Sequence, residues 1–275
     1  MSSDLWDNGC INHIIIVFII ERNSNHMAYS IALAGKGGAG KTTVAGMLIK
    51  YLVSKGKTPV LAVDADSNAN LNEVLGLKVT DTLGNAREEM KKGVVPGSMT
   101  KDVFMSMKLE QAVVEANGYD LIVMGQPEGS GCYCAANTLL TAFLDKLIHN
   151  YPYIVMDNEA GMEHISRLTT RNVDILLMVS DTSRRSIISA LRIDQLAREL
   201  KIGVGKSYLI VNQVKEKLSP EILRMIEEAG ITLAGVIPDN RDIYSYDLKG
   251  QPTVAIPAEN PAIQAAYKIF ETIIQ

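Results

Sequence analysis

The chain has 275 residues, 47% of them hydrophobic and 21% charged. That balance excludes wholesale disorder. The net charge of −4 argues against a general nucleic-acid coat. Cys10, Cys132 and Cys134 are too few for a disulfide scaffold, so reduced thiols and a cytoplasmic location are expected.

Residues 1–26 do not match the remainder. Ile14 to Ile20 is an apolar run of seven, far short of the ~20 residues with which a helix spans a bilayer. It lacks the basic leader and small-residue cleavage site of a secretory signal. His26-Met27 reads as a cloning junction or a mis-set start, so 1–26 is expected to be non-native. The alternative is a genuine extension that adds an edge strand. Residues 27–275 are expected to form a single domain.

From Ala28 onward short β-branched runs alternate with helical periodicity. Strands are predicted at Tyr29–Ala34, Pro59–Val63, Leu121–Met124, Tyr153–Met156, Ile175–Val179, Tyr208–Val211 and Ala234–Ile237. Helices are predicted at Lys41–Lys55, Ala135–His149, Ser183–Leu200, Pro220–Ala229 and Pro261–Ile274, with short helices between Asn70 and Asn117. Near-continuous apolar strands mark a parallel sheet covered on both faces. The expected fold class is α/β, a doubly wound, mostly parallel sheet with helices on both faces. In such sheets ligands bind beyond the carboxyl ends of the strands, and the chain's polar motifs fall there.

The first motif follows the first strand. Gly35-Lys36-Gly37-Gly38-Ala39-Gly40-Lys41-Thr42-Thr43 contains G-x-x-x-x-G-K-[ST]. Glycines let backbone N–H groups turn around phosphate oxygens. Lys41 would neutralise the β- and γ-phosphates, and the Thr42 hydroxyl would hold Mg²⁺. ATP/ADP with Mg²⁺ is therefore the expected ligand.

Lys36 adds a second lysine inside the loop. With it the loop resembles the deviant phosphate loop of the class that includes MinD, ParA and the nitrogenase iron protein. The resemblance implies a P-loop NTPase fold, a homodimer closed over ATP, and a Lys36 that reaches the partner's nucleotide. It also implies roles for the other strand-tip residues. In Asp64-Ala65-Asp66 both carboxylates, two apart, are expected to face one site. Asp66 would position the attacking water, and Asp64 would support Mg²⁺. Asp157-Asn158-Glu159-Ala160-Gly161 looks like switch II, with Asp157 on Mg²⁺ and the Gly161 N–H on the γ-phosphate. Asn212 would hydrogen-bond adenine, and Pro238-Asp239 would close the other side of the base.

Cys132-Tyr133-Cys134 presents two thiolates, half of a four-coordinate site. A two-fold dimer supplies the other half from the same residues. Soft thiolates select Ni, Zn, Cu(I) or Fe–S clusters over Mg²⁺ or Ca²⁺, and Ni²⁺ or Zn²⁺ is expected without a choice between them. His149 and His164 are weaker candidate ligands. Pro127 to Cys134, together with Asp157 to His164, resembles the nickel-insertion accessory ATPases of carbon monoxide dehydrogenase (CooC-type). That resemblance implies a slow, Mg²⁺-dependent ATPase metallochaperone with apo carbon monoxide dehydrogenase as client. Lys36, Lys41 and Asp66 would carry the catalysis. Two alternatives stand beside it. One is an iron–sulfur carrier or reductase, since a Cys₄ site also holds a [4Fe–4S] cluster. The other is a positioning ATPase of the ParA/MinD type. The C-terminal helix lacks the basic face that anionic lipids attract, so it is read as core packing, with no membrane and no nucleic-acid partner.

Overall fold

The computed structural model describes residues 28–66, 70–92, 95, 97, 99–125, 147–158, 172–199 and 203–274. The expected helix Ala135–His149 lies outside these except for its last three residues, and the whole of 1–26 lies outside them.

The described elements run β1 (Tyr29–Ala34), α1 (Lys41–Ser54), β2 (Val60–Ala65), α2 (Leu71–Leu75), α3 (Leu83–Lys91), α4 (Lys101–Gln111), β3 (Val113–Glu115), β4 (Tyr119–Val123), β5 (Tyr153–Asn158) and β6 (Asn172–Ser180). They continue with α5 (Arg184–Glu199), β7 (Gly203–Val214), α6 (Pro220–Glu228), β8 (Thr232–Pro238), α7 (Arg241–Leu248), a 3₁₀ turn (Thr253–Ala255) and α8 (Pro261–Ile273). One eight-stranded sheet has the order β3-β4-β2-β5-β1-β6-β7-β8. Its ladders are parallel except β3–β4. The mostly parallel α/β fold expected from the sequence is what forms.

The central strands β1, β2 and β5 are buried almost throughout, as their apolar composition demands. On one face Leu48, Leu52, Ile263 and Phe270 of α1 and α8 join Ile31, Val155 and Leu177 of the sheet. On the other, Met105, Ile187 and Ile226 of α4, α5 and α6 join Leu61, Ile122 and Met178. The C-terminal helix buries Ala262, Ile263, Ala266, Ile269, Phe270 and Ile273, the core-packing role read from its pattern. Among the described residues no helix is long and apolar enough to cross a membrane.

Two differences from expectation matter for the site. β5 runs two residues further than its apolar run, so Asp157 and Asn158 belong to the strand and not to the turn after it. β3 and α7 were not anticipated. β3 has three residues at the sheet edge, and α7 has no buried residue, so neither writes an apolar period into the sequence.

Candidate nucleotide site

Register brings the site together. β2, β5 and β1 are neighbours in the sheet. Asp64 of β2 is level with Asp157 of β5, and Asp157 is level with Leu33 of β1. The phosphate loop leaves β1 two residues later, so two carboxylates stand beneath it.

The loop itself is held by close approach. A Cβ at Gly35 would lie 2.1 Å from the Val179 carbonyl oxygen, a backbone atom that has no room to yield. The loop leads into α1 through Gly40, at φ 85°, which gives the helix no side-chain cap. By contrast Thr100, Ser219, Asn240 and Asn260 each cap the helix that follows them. The N-terminus of α1 thus carries no N-cap side chain, which leaves its first N–H groups open to an anion.

Lys41 is buried, at 7% exposure. Asp64 is fully buried and accepts from the N–H of Asp66 at 3.1 Å and of Leu71 at 2.9 Å. It therefore ties the end of β2 to the start of α2. Burial pushes its carboxyl up to about 6, against the pull of those backbone donors. Asp157 is also buried, and burial pushes it up to about 7. The Thr42 hydroxyl donates to it and Lys41 lies close enough to oppose the rise, while Asp64 and Asp66 add to it. Among the described residues Asp157 Oδ1 is buried without a hydrogen-bond partner, an orphan acceptor beside a hydroxyl and an ammonium. That donor set fits Mg²⁺ bound jointly by protein oxygens and phosphates. Among the described residues no three His, Cys, Asp or Glu side chains form a metal cluster.

Asp66 does not share a strand face with Asp64 as expected, because β2 ends at Ala65. It lines a cleft of about 580 Å³ together with Gly37, Gly38, Gly40, Lys41, Thr42 and Thr43. Asp247, Gly250 and Gln251 are further walls of that cleft. These three were missed from the sequence; only the Gly-containing turn after a polar helix hinted at them. Lys36 is exposed on the loop.

Asn212, expected at adenine, is buried and donates from Nδ2 to the Ala39 carbonyl at 3.0 Å. Pro238 is level with Val214 at the tip of β7, and the Asp239 N–H donates to the Val214 carbonyl at 3.0 Å. Neither is among the residues that wall the cleft. Asn158, which was assigned no role, is buried and donates from Nδ2 to the Leu33 carbonyl at 2.8 Å, tying β5 to the base of the loop. Cys132, Cys134, Gly161 and His164 lie outside the described residues.

Comparison with known proteins agrees with this geometry. The family model described as the CobQ/CobB/MinD/ParA nucleotide binding domain matches residues 30–254. An uncharacterized ATP-binding protein of Methanocaldococcus jannaschii is 44% identical over 248 residues, which are 89% of this chain and 98% of that one. The carbon monoxide dehydrogenase accessory protein CooC of Rhodospirillum rubrum is 34% identical over 80% of this chain and 87% of its own. Among solved structures, the MinC:MinD cell division protein complex of Aquifex aeolicus matches with a TM-score of 0.67 at 24% identity, covering 90% of this chain and 96% of that one. Matched by the family model over most of its length, the chain belongs to the CobQ/CobB/MinD/ParA family of nucleotide-binding P-loop ATPases.

Proposed function

We propose that the chain is an ATP-hydrolysing metallochaperone. It closes as a homodimer over ATP and carries Ni²⁺ or Zn²⁺ between Cys132 and Cys134 of the two copies. Apo carbon monoxide dehydrogenase is its client for nickel insertion. The observation that carries the reading is the orphaned Asp157 carboxylate set against Thr42 and Lys41, in a chain that also holds Cys132-Tyr133-Cys134. The 34% identity with CooC supports the delivery role.

In this reading water attacks the γ-phosphorus in line. A new P–O bond forms, the bond to the ADP oxygen breaks, and the water proton leaves with the products. Asp66, on the cleft wall, orients the water. Lys41 takes up charge on the transferred group, and the exposed Lys36 does so for the partner copy. Thr42 and Asp157 hold Mg²⁺, which when bound spreads the charge of the phosphates. The Gly161 N–H meets the γ-phosphate, and its release after hydrolysis frees switch II. Asn212, Pro238 and Asp239 border the base, and Asp64 supports the Mg²⁺ site from the end of β2.

The test is metal content beside molecular mass. Wild-type protein dialysed against Ni²⁺ or Zn²⁺ with ADP or ATP is expected to form dimers holding one metal ion per pair of chains. The Cys132→Ala/Cys134→Ala variant should bind nucleotide and lose the metal. Wild-type metal content in that variant would end the metallochaperone reading.

A further inference from the structure

Two consecutive residues at the tip of β7 reach the same loop, which a regular strand forbids. Successive side chains of a strand point to opposite faces. Yet Asn212 Nδ2 donates to the Ala39 carbonyl at 3.0 Å, and Gln213 Nε2 donates to the adjacent Gly38 carbonyl at 3.3 Å. The backbone supplies the means. Pairing with β8 runs from Val211↔Val236 to Val214↔Pro238, three steps on one strand against two on the other. That is a bulge, a device that re-aims side chains. Within it Gln213 has φ 58° and is the only left-handed residue other than glycine among the described residues. Glutamine has no local preference for that region, so the tertiary setting imposes it.

The carbonyls thus held are consequential. Around an anion, a phosphate loop turns N–H groups toward the ligand and carbonyls away. The C=O and N–H of one trans peptide point in opposite directions. Holding the Ala39 carbonyl therefore sets the Gly40 N–H. Holding the Gly38 carbonyl sets the Ala39 N–H, which closes the turn onto Lys36 at 3.3 Å. Gly40 leaves room for the grip, since a Cβ there would lie 2.3 Å from Asn212 Nδ2.

We propose that Gln213 is a positioning residue that, with Asn212, clamps the phosphate loop in the form that receives the nucleotide polyphosphate. The proposal rests on the nucleotide-binding reading for its purpose, and on the bulge and the two amide contacts for its mechanism. It assigns Gln213 no contact with the reacting atoms.

The full-length chain tests it through backbone amide exchange of residues 36–40 without nucleotide, and through MgATP titration. Gln213→Gly accepts the left-handed backbone and removes the amide with the rest of the side chain. Its loop amides should exchange about five- to tenfold faster, the worth of one neutral hydrogen bond, and its MgATP dissociation constant should rise by a similar factor. Gln213→Lys, which keeps a donor of similar reach, should retain the slow exchange. Unchanged exchange and affinity in Gln213→Gly, or Gln213→Lys exchanging as fast as Gln213→Gly, would overturn the clamp. A wild-type chain that binds no MgATP would overturn the nucleotide reading instead, and the exchange comparison would then decide the clamp alone.

Discussion

Asp64 and Asp157 stand level across the β2–β5 ladder, both buried, with the Lys41 ammonium beside Asp157. Each titrates higher in the fold than in an unfolded chain: about 6 and about 7, against roughly 4 for a free carboxyl. The sign of the consequence follows. A raised pKa means that protonation favours the folded state, so the contribution is full below pH ~4 and is lost as pH rises through 6 and 7. In chelator and without nucleotide, the thermal midpoint is expected to rise by a few degrees between pH 8 and pH 6. Asp157→Asn should remove most of that slope and raise the pH 8 midpoint, because a neutral amide buries no charge. The same variant should lose Mg²⁺-dependent hydrolysis. Melting curves across pH decide this: a wild-type slope in Asp157→Asn contradicts the burial argument. The stability given up at neutral pH is consistent with a site that is completed when the nucleotide and its cation bind.

At the scale of elements, the segment from Arg241 to Thr253 shows how a cleft wall with little apolar burial is held. α7 buries no residue fully, and only Ile243 and Tyr246 pack in part against the core. Its start is tied to α8 through Asn260, whose Nδ2 donates to Asn240 Oδ1 at 3.1 Å and to Asp242 Oδ2 at 2.9 Å. Asn260 Oδ1 meanwhile caps α8 by accepting from the N–H of Ala262 at 2.9 Å and of Ile263 at 3.4 Å. Asn260→Ala deletes cap and tie together and should cost about 2 kcal/mol, whereas Thr100→Ala, which deletes only the α4 cap, should cost about 1 kcal/mol. Urea denaturation compares the two, and equal losses would mean that the tie contributes nothing. These elements also mark the limit of sequence reading. α8 was legible because a wide apolar stripe at helical spacing is written into Ala262 to Ile273. α7 was not, since its two core-packing residues, Ile243 and Tyr246, are too few to write such a stripe. The strand cores were legible from their apolar runs. Their polar ends were not, which is why Asp157 and Asn158 were expected one step outside β5. The phosphate loop was readable because its chemistry is local. The amide grip of Asn158, Asn212 and Gln213 was unreadable, because it depends on register between strands far apart in the chain.

At the scale of the whole molecule, the strand order sets where the phosphate loop lies. Among the described residues the first strand, β1, lies inside the sheet between β5 and β6, so the loop after β1 sits centrally among the strand tips. Lys41 is turned inward at that point and Lys36 outward. A buried lysine serves the nucleotide of its own chain, whereas an exposed one on the same loop adds little to it, because solvent screens its charge. If the outward lysine instead serves the partner's nucleotide, its removal separates two properties that loss of Lys41 would abolish together. Lys36→Ala should bind MgATP with an affinity within about threefold of wild type, since one exposed charge contributes on the order of 0.5 kcal/mol. It should nevertheless fail to dimerise with ATP and should hydrolyse it at least about a hundredfold more slowly, the scale of a lost charge-stabilising group. Nucleotide titration, light scattering and phosphate release on one preparation distinguish the cases. Parallel loss of affinity and hydrolysis would make Lys36 an ordinary ligand of its own nucleotide. A dimer that persists in the variant would remove the reason for pairing Cys132 and Cys134 across a two-fold axis.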